Sequence, residues 1–496
     1  MEKINSFCHF FVFRGDFSVL RLKDMISKIN LPARASMAYL GASFIGKAIG
    51  LLTTPFFTRL VSEEEYGTLT LYMTILGASS IICSSFSSGS AIYRGLSKFD
   101  TSSDGFIKSA LWGSMGFSTA FCLLLFTFWH YIGLPRLFML PLAIQILCDS
   151  VVGVSLAKAR YKYGYLEVMI IGVCSSALPP LISIWILTQY DATFGVRIYL
   201  LLAISLIIST VQFIRIDLKS DKASLQMLKF MLASALPLLP HSISVAISGQ
   251  ADKLFVARLM GEAALAKYSV VHSLGIALQF AVTSLGSALG PWIIRRLNAG
   301  EEGRVKSVIT ILFALFSALS LGLCSVAPEA MRLLAPEKYR EALPALFPIA
   351  ISTPLCLISY VITLTLVHKG RGKYTAFISG ASLFLCILLN SVLISRNGYL
   401  GAGLALFLSQ LGAVSIGYFL LRSADISEIF DIKRISFYLT MSIIIGFVTD
   451  LLYTKTALRL LVMTIPAIWG FSILLRCRDL VLEKGKSQIN PKKIRE

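Results

Sequence analysis

Two lysines lie in stretches too apolar to hold charge in contact with lipid. Lys47 is within "YLGASFIGKAIGLLTTPFF", and Lys253 follows Asp252 in "ADKLFVARLMGEAALAKY". An ionised side chain in a bilayer costs about 2.5–3.5 kcal/mol on insertion scales, so such residues usually face a water-filled cavity or a partner. Lys47 could instead snorkel to the interface, and Asp252 with Lys253 could be an interfacial charge pair. The functional prediction is that these side chains face a water-filled cavity.

Several other polar residues are candidates for coupling or for structural contacts. Asp149 lies within "LPLAIQILCDSVVGV", one turn after Gln145. His241 and His272 also lie in apolar stretches, and histidine can titrate near neutral pH. For each of these, a hydrogen-bonded structural role is the competing interpretation.

Motifs for soluble catalysis and metal binding are missing from the sequence. It contains no GxxxxGK[ST] phosphate loop, no HExxH and no CxxC, and its nine cysteines have no metal-ligand spacing. We therefore predict no enzyme, no metal and no cofactor. A membrane polysaccharide polymerase, an alternative from another class, would need a longer outer loop than this chain offers.

The elements that must position these residues are transmembrane helices. The chain has 496 residues, is 56% hydrophobic and is only 15% charged, whereas soluble proteins are about 25% charged. Runs of about 20 apolar residues, each long enough to cross a bilayer as a helix, predict an all-α polytopic membrane protein with about fourteen spans. The predicted spans are 36–60, 66–92, 109–130, 137–157, 165–188, 196–214, 230–257, 265–294, 307–328, 342–367, 375–395, 400–421, 436–453 and 458–475.

The distribution of basic residues fixes the predicted orientation. With a cytoplasmic N-terminus, the cytoplasmic segments hold 33 Lys and Arg and the opposite side holds 11. Such a bias over short loops predicts that both termini are cytoplasmic. Basic loops at an anionic leaflet also explain the net charge of +19 without a nucleic-acid partner. Residues 1–35 are predicted to be a cytoplasmic tail rather than a cleaved signal, and 476–496 a basic cytoplasmic tail.

An internal repeat divides the spans. "RLVSEEEYG" at 59–67 resembles "RLMGEAALA" at 258–266, and "KARYKY" at 158–163 resembles "KGRGKY" at 369–374. An even number of spans per copy gives parallel repeats, which is typical of transporters. The predicted units are an N-lobe (36–214), a cytoplasmic hinge loop (215–229), a C-lobe (230–421) and two additional spans (436–475).

These motifs resemble the polysaccharide-biosynthesis exporters, the Wzx-type O-antigen flippases of the MOP superfamily. The first hairpin has the helix end at Pro55, Arg59 and Leu60 and the acidic turn Glu63–Glu65 before Tyr66 and Gly67. The later match is "ALPLLPHSISVAISGQADKLFVARLMGEAALAKYSV" at 235–270, followed by the "GRGKY" loop.

The resemblance implies two six-helix lobes around a V-shaped central cavity and alternating access in the bacterial inner membrane. The implied substrate is an undecaprenyl-pyrophosphate-linked oligosaccharide, an O-antigen or related repeat unit. The implied partners of the protein are membrane lipids, a polysaccharide polymerase and a chain-length regulator. Lys47, Arg59, Asp252, Lys253 and Arg258 are the expected substrate path. A drug or cation exporter of the same superfamily is the alternative, although its site would favour carboxylates and aromatic rings.

Overall fold

The computed structural model describes residues 31–87, 90–190, 193–217, 223–423, 429–453 and 455–470. Within these ranges every regular element is a helix. Residues 1–30 of the predicted N-terminal tail (1–35), the whole predicted C-terminal tail (476–496) and residues 218–222 of the predicted hinge loop lie outside the described residues. The predicted all-α fold class is therefore confirmed.

Eight α-helices are described in the first half of the chain, from residue 31 onwards. They are α1 (Leu31–Leu60), α2 (Glu63–Ser87), α3 (Ser90–Lys98), α4 (Ser103–Thr127), α5 (Trp129–Ile132), α6 (Arg136–Tyr161), α7 (Tyr165–Gln189) and α8 (Gly195–Asp217). Helix α1 begins at Leu31, before the predicted start at 36.

In the second half, ten α-helices are described up to residue 470. They are α9 (Leu225–Ala235), α10 (Leu239–Ser248), α11 (Ala251–Met260), α12 (Glu262–Gly275), α13 (Gln279–Asn298), α14 (Glu302–Leu334), α15 (Leu346–His368), α16 (Gly372–Arg422), α17 (Ile432–Leu451) and α18 (Thr456–Gly470). A 3-10 helix, Glu337–Ala345, connects α14 to α15.

The chain crosses the membrane many times. Among the described residues, ten helices are long and apolar enough to span a bilayer, or eleven if α12 and the first part of α13, bent by 46°, form one span. The 51-residue helix α16 contains a non-helical residue, Gly398, with φ 54°. Gly398 lies between the predicted spans 375–395 and 400–421, and only glycine adopts such angles readily. The full number of fourteen spans stays a prediction.

The predicted seventh span is broken into three helices. A 3-10 turn at Leu236–Leu238 contains Pro237, and Pro240 follows at the start of α10. A second break at Gly249–Gln250 separates α10 from α11. Proline removes a backbone donor and kinks helices. As a result α11 is an independent ten-residue helix that begins just before Asp252 and Lys253.

Helices pack mostly within each half of the chain. In the first half, α6 contacts α2, α4 and α8, while α7 contacts α1 and α8. In the second half, α15 and α16 pack on each other, α13 and α14 contact α15, and α10 and α11 contact α16. Helix α2 joins the halves by packing against α10, α11 and α12. The twofold relation between two lobes stays a prediction.

Candidate functional site

A cavity of about 430 Å³ lies between the two halves of the chain. Helices α1 and α2 and the start of α8 line it from the first half, and α11, α12 and the start of α13 from the second. Its lining is Lys47, Ala48, Gly50, Leu51, Thr54, Tyr66, Leu69, Thr70, Met73, Thr74, Arg197, Gln250, Lys253, Ser269, Ser273, Ile276, Ala277 and Phe280. Among these residues three are cationic and none is acidic, so the cavity favours an anion.

Lys47 reaches across this cavity from α1. Its Nζ lies 3.7 Å from the centroid of the Phe280 ring on α13, in the other half of the chain. An ammonium over an aromatic face gains about 0.5–2 kcal/mol, depending on its exposure. The neighbouring Gly46 faces α7, where an added Cβ would lie 2.7 Å from Ser176 Oγ. Close packing of α1 on α7 therefore turns the Lys47 side of α1 towards the cavity.

Lys253 contributes the second positive charge. It lines the cavity from α11, and its Nζ is 3.4 Å from the Gln250 side-chain oxygen. Asp252, although adjacent in sequence, is 3% exposed and points into the second half. Its Oδ2 accepts a hydrogen bond of 2.6 Å from the Tyr268 hydroxyl and lies 3.2 Å from His272 Nε2. Neighbouring helical positions diverge by about 100°, so one helix serves two different environments.

Arg197 is the third cation of the cavity, and it was not among the predicted site residues. It belongs to the first turn of α8 and, in the predicted topology, is one of the 11 basic residues opposite the cytoplasmic side. Its guanidinium carbon lies 4.2 Å from the centroid of the Phe57 ring. Its Nε has no hydrogen-bond partner among the described residues. The residue nevertheless lines the cavity, so its positive charge acts on a ligand there.

The predicted path residues Arg59 and Arg258 do not line the cavity. Arg59 Nη2 donates to the carbonyl oxygens of Arg332 and Leu333, at 3.3 and 3.2 Å, and so caps the end of α14. Arg258 is exposed in the last turn of α11. The structure thus brings Lys47 and Lys253 together with Arg197, and leaves the two predicted arginines outside.

The other predicted polar residues join helices. Asp149 of α6 accepts hydrogen bonds from Ser80 at 2.6 Å and from Gln145 at 3.2 Å, within the first half. His241 of α10 has its Nδ1 3.0 Å from the Ser379 hydroxyl on α16. Neither residue lines the cavity.

An ion cluster joins the halves at the end where α1 meets α2. Glu63 lies 3.3 Å from Lys267 and 2.8 Å from Lys338, and Lys267 lies 2.8 Å from Glu341. We call these four residues the outer ion cluster. Close by, a Cβ on Gly67 would lie 1.9 Å from the backbone oxygen of Glu262, so α2 and α12 touch by their backbones. These contacts hold the two halves together at this end.

Two family models match the chain. One, described as polysaccharide biosynthesis protein, matches residues 33–297, and the second, MatE, matches residues 237–392. No curated protein sequence matches significantly.

Solved structures of transporters share this fold at low sequence identity. The lipid II flippase MurJ in an inward closed conformation gives a TM-score of 0.71 at 14% identity, covering 90% of this chain and all (100%) of that one. An inward-facing multidrug resistance MATE transporter of the MOP superfamily gives a TM-score of 0.60 at 15% identity, and the match covers 79% of this chain and 98% of that one. A MOP superfamily transporter from Pyrococcus furiosus, described by the reverse polarity of its binding pocket, gives a TM-score of 0.52 at 16% identity. That match covers 80% of this chain and 96% of that one.

Proposed function

We propose, from the premise that the chain belongs to the polysaccharide biosynthesis protein family, that it is a flippase for a lipid-linked oligosaccharide. The substrate would be an undecaprenyl-pyrophosphate-linked repeat unit of O-antigen or a related polysaccharide. Alternating access would carry its head group across the bacterial inner membrane, with both termini of the protein cytoplasmic. A polysaccharide polymerase and a chain-length regulator would then act on the translocated unit.

The observation that carries this proposal is the charge of the cavity. Lys47, Arg197 and Lys253 approach it from three different helices, and no carboxylate lines it. A diphosphate carries negative charge on every side, so cations on separate helices can bind it together. Hydroxyl and amide groups at Thr70 and Gln250 also line the cavity, as expected for contact with sugars.

The chain's basic loops support the orientation. The excess of Lys and Arg on the predicted cytoplasmic side supports a periplasmic position for the outer ion cluster. Since the ion pairs of that cluster hold the two halves together at this end, we propose that the substrate loads from the opposite end. This corresponds to a state that receives substrate from the leaflet in which it is made.

A drug or cation exporter is the second candidate, because a MatE model matches residues 237–392. A cationic drug is attracted by carboxylates, whereas the only charged side chains that line this cavity are cationic. The two acids nearest in sequence to cavity residues do not serve it, because Asp252 is bonded to Tyr268 and Glu65 to Ser62. Charge therefore favours the flippase.

The decisive experiment is complementation in a strain that lacks the native gene. Restored surface polysaccharide, with no accumulation of lipid-linked oligosaccharide in the cytoplasmic leaflet, supports the proposal. Resistance to cationic drugs without restored polysaccharide would favour the exporter instead. An Arg197→Leu variant at matched membrane abundance tests whether the cavity charge is responsible, and it should leave the oligosaccharide trapped inside.

A further inference from the structure

The three cations of the large cavity lie at two different levels along helix α1. Lys47 belongs to α1 itself, and Arg197 packs on the Phe57 ring of the same helix, with its guanidinium carbon 4.2 Å from the ring centroid. Phe57 follows Lys47 by ten residues. At a rise of about 1.5 Å per residue, Arg197 therefore lies about 15 Å further along the cavity than Lys47.

Lys253 lies at the level of Lys47. Its Nζ is 3.4 Å from the Gln250 side-chain oxygen, and the Gln250 side-chain nitrogen would lie 3.7 Å from a Cβ added to Gly77 of α2. Gly77 lies 14 residues after the start of α2, and Lys47 lies 13 residues before the end of α1. Because α1 and α2 are consecutive helices joined by a short turn, these two positions have about the same depth. We call Lys47 and Lys253 the lysine level, and Arg197 the arginine level.

The arginine level lies at the closed end of the cavity. Arg197 lines the cavity together with Tyr66 of α2 and acts on it electrostatically. Tyr66 is within one turn of Glu63, a member of the outer ion cluster. Gly77, which marks the lysine level on α2, follows Tyr66 by eleven residues, or about 16 Å along the helix. Helices α1 and α2 thus give the same separation independently.

Hydroxyl groups occupy the interval between the two levels. Thr54 of α1, Thr70 of α2 and Ser269 of α12 line the cavity there, and Ser269 Oγ lies 3.5 Å from Thr70 Oγ1. A hydroxyl can both donate and accept hydrogen bonds, as the hydroxyls of a sugar do. From its open end inwards, the cavity therefore offers two ammonium groups, then hydroxyls, then a guanidinium.

We infer that Arg197 recognises a second anionic group of the substrate, the carboxylate of an acidic sugar that neutral sugar rings separate from the diphosphate. The inference rests on the proposed function, which supplies the diphosphate for the lysine level. A diphosphate is much shorter than the distance between the two levels, so it cannot contact both at once. A guanidinium can give a carboxylate two parallel hydrogen bonds, which are stronger than bonds to the hydroxyls of a neutral sugar.

The lipid anchor determines which anionic group reaches which level. The isoprenoid chain stays in the membrane, so it keeps the diphosphate near the leaflet from which the substrate loads. Loading from the end opposite the outer ion cluster brings the sugars into the cavity ahead of the diphosphate. The sugar furthest from the lipid therefore reaches Arg197 at the closed end, while the diphosphate remains with Lys47 and Lys253.

Binding of two matched synthetic ligands to the purified full-length protein in lipid nanodiscs tests the inference. Both ligands are farnesyl-diphosphate-linked trisaccharides, and they differ only in the terminal sugar, which is glucuronate in one and glucose in the other. The protein should bind the glucuronate ligand about 10- to 150-fold more tightly, the range expected for a hydrogen-bonded contact with a charged group.

Variants of single cations assign the preference to its residue. Arg197→Leu should abolish the preference for glucuronate and leave the affinity for the glucose ligand nearly unchanged. Arg197→Lys keeps the charge without the planar fork and should retain part of the preference. Lys47→Ala should weaken the binding of both ligands by the same factor. Arg258→Leu, which removes an exposed arginine outside the cavity, should change neither affinity.

Equal binding of the two ligands by the unaltered protein would overturn the inference, and so would a preference that survives Arg197→Leu. A loss of affinity for both ligands in Arg197→Leu would also overturn it, because Arg197 would then bind the diphosphate. If Arg197→Leu does not accumulate in the membrane, the unaltered protein and Arg197→Lys decide. Equal binding of both ligands leaves the flippase proposal standing, whereas failure to bind either ligand would count against that proposal as well.

Discussion

Reversing the charge of Lys47 tests the cavity most severely. Its ammonium lies 3.7 Å from the Phe280 ring centroid, and a phosphate oxygen that replaced the ring would come equally near. At about 4 Å, two unit charges attract by about 1 kcal/mol in water and about 4 kcal/mol near a protein surface. The ammonium must first give up about 0.5–2 kcal/mol of contact with the ring. In water, about 1 kcal/mol of attraction less about 0.5 for the ring leaves ~0.5 kcal/mol, and near a protein surface about 4 less about 2 leaves ~2 kcal/mol, so Lys47 should contribute a net ~0.5–2 kcal/mol to binding.

These energies set the expected order of variants. Because affinity changes tenfold for each 1.4 kcal/mol, Lys47→Ala should weaken substrate binding by about 2- to 30-fold and lose most export. Lys47→Arg retains charge and should keep substantial export. Lys47→Glu replaces attraction by repulsion and should be worse than alanine. The assay is surface polysaccharide in a strain lacking the native gene, at matched membrane abundance of each variant.

Lys98 provides a matched control. Its Nζ also lies over a phenylalanine ring, 4.4 Å from the centroid of Phe230, but it does not line the cavity. Lys98→Glu should therefore leave export close to normal. Near-normal polysaccharide with Lys47→Glu would remove this lysine from the path, and equal losses in both variants would show that any charge reversal harms the protein.

Three further predictions concern the ends of the cavity and its orientation. Glu63→Gln leaves Lys267 and Lys338 without their shared counter-charge and should loosen this end of the cavity. In a cysteine-free background, a cysteine that replaces Thr70 should then be labelled faster by a membrane-impermeant thiol reagent. An unchanged labelling rate would mean that the outer ion cluster does not close the cavity. Phe280→Leu removes the ring over Lys47 and should strengthen binding of pyrophosphate to the purified protein, which calorimetry measures; weaker binding would show that the ring supports the ligand. Alkaline phosphatase fusions at 62 should be active and those at 160, 220 and 372 inactive, and activity at 160 or 372 would reverse the topology.

Sequence patterns predicted the helices and part of the cavity because both depend on local rules. Apolar runs separate lipid-embedded segments from loops, and mid-membrane lysines stand out against them. Arg197 was missed because it follows the polar stretch "TQYDATFG" and is indistinguishable from a charge that flanks a span. Only the tertiary structure, which sets the Arg197 guanidinium of α8 over the Phe57 ring of α1, brings it to the cavity. The direction of Asp252 was equally hidden, since helical geometry separates it from Lys253 without saying which of the two faces water.

The contact between Lys47 and Phe280 also bears on what the protein must keep out. A transporter with a positive cavity in an energised membrane risks carrying phosphate or nucleotides down their gradients. The ring sets a threshold, because it competes with an anion for contact with the ammonium. A small free ion has only one or two contacts with which to overcome that threshold, whereas a diphosphate joined to a lipid and a sugar chain makes many. The aromatic cover would thus act as a discriminator against futile leakage, and so preserve the permeability barrier while the path remains open to its bulky cargo.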